Sequence, residues 1–240
     1  MSYRRNVMTK LIVFDLDNTL AEHGKGIEKE HIAVLKRLEE NGIRIAICSG
    51  KPVYYLCGFM RQVGLKQPLL LGENGAVMQV GVDLPPSTHF VLPYSKQAKE
   101  TLLFFKEKID EQIADVWYQQ NIVALTPFPR SEEEFDIIES LLEEYKEHII
   151  DVEVYRHIDS FDLVPVGINK KEGVRHLGNF LQIIPEEFIA VGDGENDYPM
   201  FEYAGHAIGV KVKDENQVDK NTSNISETLE YLCKICLQEK

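Results

Sequence analysis

The 240-residue chain reads as a doubly wound parallel α/β sheet with a smaller α+β domain inserted into it, and three features predict this. Short apolar runs end in a small or acidic residue: LIVFD (11–15), IRIAICSG (43–50), PLLLGENG (68–75), FIAVGDG (188–194) and HAIGV (206–210). Rich in Ile, Val and Leu and free of polar alternation, they fit strands buried on both faces, as in a parallel sheet. Helical patterns lie between them, and strands alternating with helices imply crossovers within one sheet. The third feature is a break in this rhythm in the middle of the chain.

Taken in order, LIVF is expected to be the first strand, ending at Asp15. Residues 28–41 place Ile32, Leu35 and Leu38 on one helical face, with Gly42 where a stop is expected. After Gly75 the sequence predicts a hairpin over 77–82 and a connection containing Leu84, Pro85 and Pro86. A long amphipathic stretch, 95–113, precedes the strand-like WYQQNIVALTPF (117–128). Ser131 and Glu134 form a capping box ahead of Phe135, Ile138, Leu141 and Leu142. Two strand-like pieces follow, DVEVYRH (151–157) and FDLVPV (161–166), and then helices over 171–181 and 226–237. These patterns place an inserted domain at 86–165, with residues 1–85 and 166–240 forming the core domain.

Composition narrows the function classes. The chain is 44% hydrophobic and 27% charged, an ordinary globular mixture, long enough to bury a core without disulfides. Its formal net charge of −13 argues against nucleic acid or an anionic membrane as the main partner. An anionic substrate would then need the local field reversed, which a bound divalent cation does. No apolar run reaches the length of a membrane span, and MSYRRNVMTK leads into a strand and not into a signal-peptide core. Cys233 and Cys236 form a CxxC without a second pair or a His at zinc-ligand spacing, so two thiols one helical turn apart is the simpler reading. A reducing cytoplasm fits this usage. Nothing in the chain specifies an oligomeric state.

Four short segments carry the chemistry. In Phe14-Asp15-Leu16-Asp17-Asn18-Thr19, side chains two apart along an extended chain point the same way, so Asp15 and Asp17 can face one cleft beyond the strand. An ionised Asp15 can attack as a nucleophile, and Asp17 can give and take a proton. A strand-end DxD that merely caps a turn is the structural alternative. A second acidic cluster, Gly192-Asp193-Gly194-Glu195-Asn196-Asp197, follows another buried strand. Asp193 can ligate a hard cation, Asp197 can ligate it or orient its waters, and the flanking glycines let backbone approach a metal or phosphate. The spacing lacks the ligand pattern of an EF-hand. Ser49 and Gly50 offer a hydroxyl and a backbone N–H to phosphoryl oxygens, or else a helix cap. Lys170, with Lys171 beside it, opens a helix where an ammonium can neutralise a phosphoryl group, or simply stand in solvent. Glu73 and Asn74 are further candidates to line the cleft, Glu73 being equally compatible with a solvated loop.

The order DLDNT, CSG, lysine, GDGEND resembles the haloacid dehalogenase (HAD) superfamily of phosphohydrolases, over residues 10–78 and 166–212. NKKEGVRHL (169–177) and GENGA (72–76) resemble its branch of Cof-type and sucrose-phosphate phosphatases, in which an α/β cap is inserted between the second and third motifs. The resemblance implies a HAD-like Rossmannoid core and a Mg²⁺-dependent phosphomonoester hydrolase working through an aspartyl phosphate. It makes Asp15 the nucleophile and Asp17 the general acid/base. Mg²⁺ would be held by Asp15, the main-chain carbonyl of Asp17, and Asp193, with Asp197 as ligand or outer support. Ser49, Gly50 and Lys170 would bind the transferred phosphoryl group. The cap would close over a sugar phosphate or similar metabolite, with Trp117, Tyr118, Gln119, Arg130 and Arg156 as candidate contacts. Asn18 and Lys171 both depart from the branch, which more often has Gly there. A phosphotransferase or phosphomutase using the same aspartyl phosphate, and a non-catalytic metabolite-binding module, are the alternatives.

Overall fold

In the computed structural model, which describes residues 8–237, the chain divides into two compact units. One comprises the residues up to Phe90 together with those from Asn169 onward, and the other is Val91–Ile168. The first unit begins with β1 (Leu11–Phe14), α1 (Lys29–Glu40), β2 (Arg44–Cys48), α2 (Val53–Arg61), β3 (Leu69–Gly72), β4 (Val77–Val80) and β5 (His89–Val91). The second unit holds α3 (Lys96–Gln112), β6 (Trp117–Tyr118), β7 (Pro127–Phe128), α4 (Glu132–Glu144), β8 (Val152–Arg156) and β9 (Phe161–Pro165). The chain then returns through α5 (Lys170–Leu181), β10 (Phe188–Gly192), α6 (Tyr198–Tyr203), β11 (His206–Val210), β12 (Lys220–Thr222) and α7 (Ile225–Leu237). The division falls later than 85/86 because β5, which follows the proline connection, is still an edge strand of the main sheet.

That sheet runs β12-β11-β10-β1-β2-β3-β4-β5. The pairs from β12 to β3 are all parallel. β4 folds back antiparallel on β3, with Leu71 opposite Met78, so the expected 77–82 hairpin is a return onto the preceding strand. Every residue of β1 is buried, which is why its sequence lacks polar alternation. Leu11, Val13, Ala46 and Cys48 share one core with Val174 and Leu177 of α5 and Met200 of α6. The alternating residues Ile12 and Phe14 are equally buried, and by strand geometry they face the other way. Leu35 and Leu38 of α1 are buried, and α1 packs on α7.

At the start of α5, the Asn169 side chain accepts the Glu172 N–H at 3.0 Å and caps the helix. One turn in, Gly173 rests directly on the Glu73–Gly75 turn: a methyl on Gly173 would lie 2.9 Å from the Gly75 carbonyl oxygen and closer still to its Cα. Gly173→Ala gains about 1 kcal/mol of helix propensity, but the clash is with backbone and costs about 3 kcal/mol. The variant is therefore expected to be less stable by about 2 kcal/mol, as read by urea denaturation. Stability equal to wild type would show that the turn yields.

In the second unit, α3 and α4 cover the β8–β9 ladder, with Phe105, Ile109, Ile138, Phe161 and Leu163 in the core. Ser131 Oγ accepts the Glu134 N–H, but Glu134 Oε2 accepts from the Arg130 N–H and not from Ser131, so the expected capping box is reciprocal one residue early. The 117–128 stretch is not one strand. Its ends, β6 and β7, pair with each other, Trp117 opposite Phe128, while Gln119, Asn121 and Thr126 hydrogen-bond across the loop between them. All four cysteines are free, Cys233 and Cys236 on α7 included. Among the described residues, no helix is long and apolar enough to cross a membrane.

Candidate active site

β2, β1 and β10 lie side by side and parallel at the centre of the sheet. Phe14 is level with Ile47 on one side and Val191 on the other. The residues just beyond these strands, Asp15, Ser49 and Asp193, therefore emerge at one carboxyl edge, where ligands of open α/β sheets bind.

There the chain builds a buried ion cluster from three distant segments. Lys170 Nζ donates to Asp15 Oδ1 and to Asp197 Oδ1, each at 2.6 Å. Asp197 is fully buried, Lys170 is 1% exposed and Asp15 6%. The other oxygen of Asp197 accepts the backbone N–H groups of Asp193 and Gly194 at 3.0 and 3.1 Å. Gly192 leaves the space for this: a Cβ there would lie 2.7 Å from Asp197 Cβ and closer to its carboxylate. The room beside Asp193 is thus filled by Asp197 itself. Thr19 Oγ1 donates to Asp193 Oδ1 at 3.0 Å. Thr19 was not among the sequence candidates. Its place in DLDNT was the available signal, since a buried hydroxyl four residues past Asp15 needs a partner.

The remaining candidates are placed as follows. Lys171 is half-buried and paired with Glu202, so Lys170 alone of the two joins the cluster. Asp17 stands apart from it in a tight loop closed by Asn18, whose φ is 60°. Its side chain is 26% exposed, with His23 Nδ1 3.4 Å from Oδ1. Ser49 is buried and its Oγ accepts the Lys51 N–H at 3.2 Å. Gly50 lies against the side chain of Asn74. Glu73 is 3% exposed and so is not a solvated loop residue.

Electrostatics follow from burial. Desolvation raises the Asp15 carboxyl to about 7, against the pull of the Lys170 ammonium and helped by the charges of Asp197 and Asp193. Burial opposes the charge on Lys170, but Asp15 and Asp197 outweigh it and its pKa is raised. Burial likewise raises Asp193, tempered by the Thr19 hydrogen bond. The neighbouring Cys48 thiol is pushed up to about 12 by burial, which leaves it no thiolate to act with near neutrality. One consequence is measurable. Without a metal, between about pH 4 and about pH 7, the folded protein is expected to hold a proton on Asp15 that the unfolded chain, titrating near 3.9, has released. Relative to Asp15→Asn, wild-type stability is expected to fall as pH rises from about 4 to about 7. A difference that is flat across this range in urea denaturation would contradict the shift.

Asp15, Asp193 and Asp197 each offer a carboxylate oxygen, and these atoms lie within 4.8 Å of one another. An all-oxygen, anionic donor set with few protein ligands fits a hard divalent cation that keeps some of its waters.

Comparison with known proteins agrees with this geometry. A curated phosphoglycolate phosphatase of Methanosarcina acetivorans is 26% identical over 206 residues, covering 86% of this chain and 85% of that one. The 5-amino-6-(5-phospho-D-ribitylamino)uracil phosphatase YwtE of Bacillus subtilis is 24% identical over 263 residues, covering 88% and 89%. Among solved structures, a haloacid dehalogenase-like hydrolase from Bacteroides thetaiotaomicron superposes with a TM-score of 0.76 at 20% identity, over 93% of this chain and 99% of the other. The family model of the haloacid dehalogenase-like hydrolases matches residues 12–84 and 87–228, taking in β1 and its aspartates, Lys170 and the loop after β10. On that match the chain belongs to the haloacid dehalogenase-like hydrolases.

Proposed function

We propose that this enzyme is a phosphatase that hydrolyses a small phosphomonoester, a sugar phosphate or similar metabolite, by way of a phosphoryl group carried transiently on Asp15. The observation that carries the reading is the buried ammonium of Lys170 shared between Asp15 and Asp197 at the carboxyl edge of β1 and β10. Phosphoryl transfer asks a protein for charge neutralisation and positioning, and here one fixed cation sits against the proposed nucleophile. The names of the relatives, both phosphatases of small metabolites, fit the class.

In this mechanism Asp15 attacks phosphorus through a carboxylate oxygen, and Asp17 protonates the departing oxygen. Asp17 then takes a proton from the water that attacks the acyl phosphate, which releases inorganic phosphate and restores Asp15. Asp17 can exchange protons because it stands outside the ion cluster and reaches solvent. Ser49, the Gly50 N–H and Lys170 bind the phosphoryl oxygens. A divalent cation such as Mg²⁺, held by Asp15, Asp193 and the main-chain carbonyl of Asp17, would neutralise phosphoryl charge and keep Asp15 ionised. Asp197 supports this site from behind, since its oxygens already serve Lys170 and two backbone amides.

The test is phosphate release from p-nitrophenyl phosphate and a panel of small phosphoesters, with Mg²⁺ and with EDTA. Hydrolysis that requires the metal is expected. Turnover seen only when an acceptor alcohol is added would make the enzyme a phosphotransferase. Silence throughout in a folded protein would sink the catalytic reading.

A further inference from the structure

The turn after β3 holds a neutral polar group, the Asn74 carboxamide, that the mechanism above does not use. Asn74 Oδ1 is buried and has no hydrogen-bond partner among the described residues. It lies 3.6 Å from the point a Cβ on Gly50 would occupy. The backbone N–H of Asn74 donates to the Ser49 carbonyl at 2.9 Å, so the amide is tied to the Ser49-Gly50 segment. The backbone bends sharply to put it there. Glu73 and Asn74 both have left-handed φ, 53° and 55°, a conformation unfavourable for side chains with a Cβ. Buried polar atoms are nearly always paired, and an exception calls for an explanation. Strain held at such a place points the same way.

We infer that the Asn74 carboxamide completes the phosphoryl-binding site, donating a hydrogen bond from Nδ2 to a phosphoryl oxygen held over Ser49 and Gly50. This rests on the phosphatase reading and adds to it a binding residue outside the four acidic, serine and lysine segments. The two ends of an amide are interchangeable by a half-turn about its last bond. That half-turn presents the donor where the orphaned oxygen now lies, and a phosphoryl oxygen is an acceptor with capacity to spare. A neutral amide suits this place, because the site already carries the charges of Asp15, Asp193 and Asp197 and a further carboxylate would repel the anion.

The left-handed backbone supplies a clean variant. Glycine adopts φ near 55° freely, so Asn74→Gly removes the amide and leaves the turn. Binding of inorganic phosphate to the Mg²⁺-loaded protein, followed by calorimetry, needs no turnover. The dissociation constant for phosphate is expected to rise roughly ten- to hundredfold in Asn74→Gly, the usual worth of a hydrogen bond to a charged group. Affinity for Mg²⁺ alone and the melting temperature are expected to stay near wild type. Asn74→Asp is expected to bind phosphate more weakly than Asn74→Gly.

Unchanged phosphate affinity in Asn74→Gly, with wild type binding phosphate and hydrolysing esters, overturns this inference and spares the phosphatase. A loss matched by an equal loss of Mg²⁺ affinity means the turn has collapsed, and it also overturns the inference. A raised KM with unchanged phosphate affinity places the amide on the leaving group instead and refutes the assignment to phosphoryl. Wild type that neither binds phosphate nor hydrolyses any ester takes the phosphatase reading down with it.

Discussion

Asp15→Asn is expected to lower phosphate release by about 10⁴-fold or more while leaving the protein folded, because an amide of the same shape cannot attack phosphorus. The substitution separates chemistry from stability more sharply than most. The replacement amide keeps an oxygen for the Lys170 ammonium, and Lys170 retains Asp197 as its charged partner. What disappears is a buried carboxylate that burial has raised to about 7. In EDTA at pH 8 the variant should therefore be as stable as wild type or more so, since the wild-type group must ionise against its environment there. Rate measurements with Mg²⁺, set beside urea denaturation without it, test both halves. Residual phosphate release close to wild type would remove Asp15 from the nucleophile's role. Lost stability with lost activity would make it a structural anchor.

The second large effect is expected at Lys170. Lys170→Met keeps the aliphatic length but leaves Asp15 and Asp197 buried with no cation between them. Breaking a buried ion cluster by deleting one partner typically costs about 3–5 kcal/mol, because the survivors stay desolvated and uncompensated. Activity is expected to fall by roughly 10³-fold, the scale for removing a group that stabilises developing charge. Lys171→Met is the control. That lysine sits in an exposed pair with Glu202, so its loss should change stability by no more than about 0.5 kcal/mol and leave turnover untouched. Equal effects at the two positions would mean that the ion cluster is not what the site depends on.

Different parts of this molecule were legible to different degrees, for physical reasons. β1 and β10 announced themselves because a strand buried on both faces must be apolar throughout. The residue after each was then placed at the carboxyl edge by topology alone. α5 was found almost to the residue, expected over 171–181 and observed over Lys170–Leu181, since buried Val174 and Leu177 recur on one face; the Asn169 cap came only with the structure. The loop within 117–128 was missed because Gln119, Asn121 and Thr126 satisfy one another by side-chain hydrogen bonds that no periodicity encodes. α2 also went unread, as VYYLCGFMR opens on β-branched and aromatic residues and holds a glycine, all of low helix propensity. Within the site, what could be read were residue types at strand ends. What Thr19 holds, and that Asp197 shares the Lys170 ammonium, depend on contacts between segments far apart in sequence. The choice between Lys170 and Lys171 was legible from helical spacing, because Lys170 shares the buried face of Val174 and Leu177 while Lys171 is rotated off it.

The sheet order has a further consequence for a chain emerging from the ribosome. β1 is made first, yet one of its two neighbours, β10, is made near the end. Until residue 188 has left the exit tunnel, the β2 side of β1 can pair while its other edge stays open, presenting LIVF with unsatisfied amides and carbonyls. An open apolar edge is a template for other chains. A nascent chain stalled before β10 is thus the form most in need of a chaperone, and the last strands to be synthesised both seal that edge and deliver Asp193 and Asp197 to Asp15.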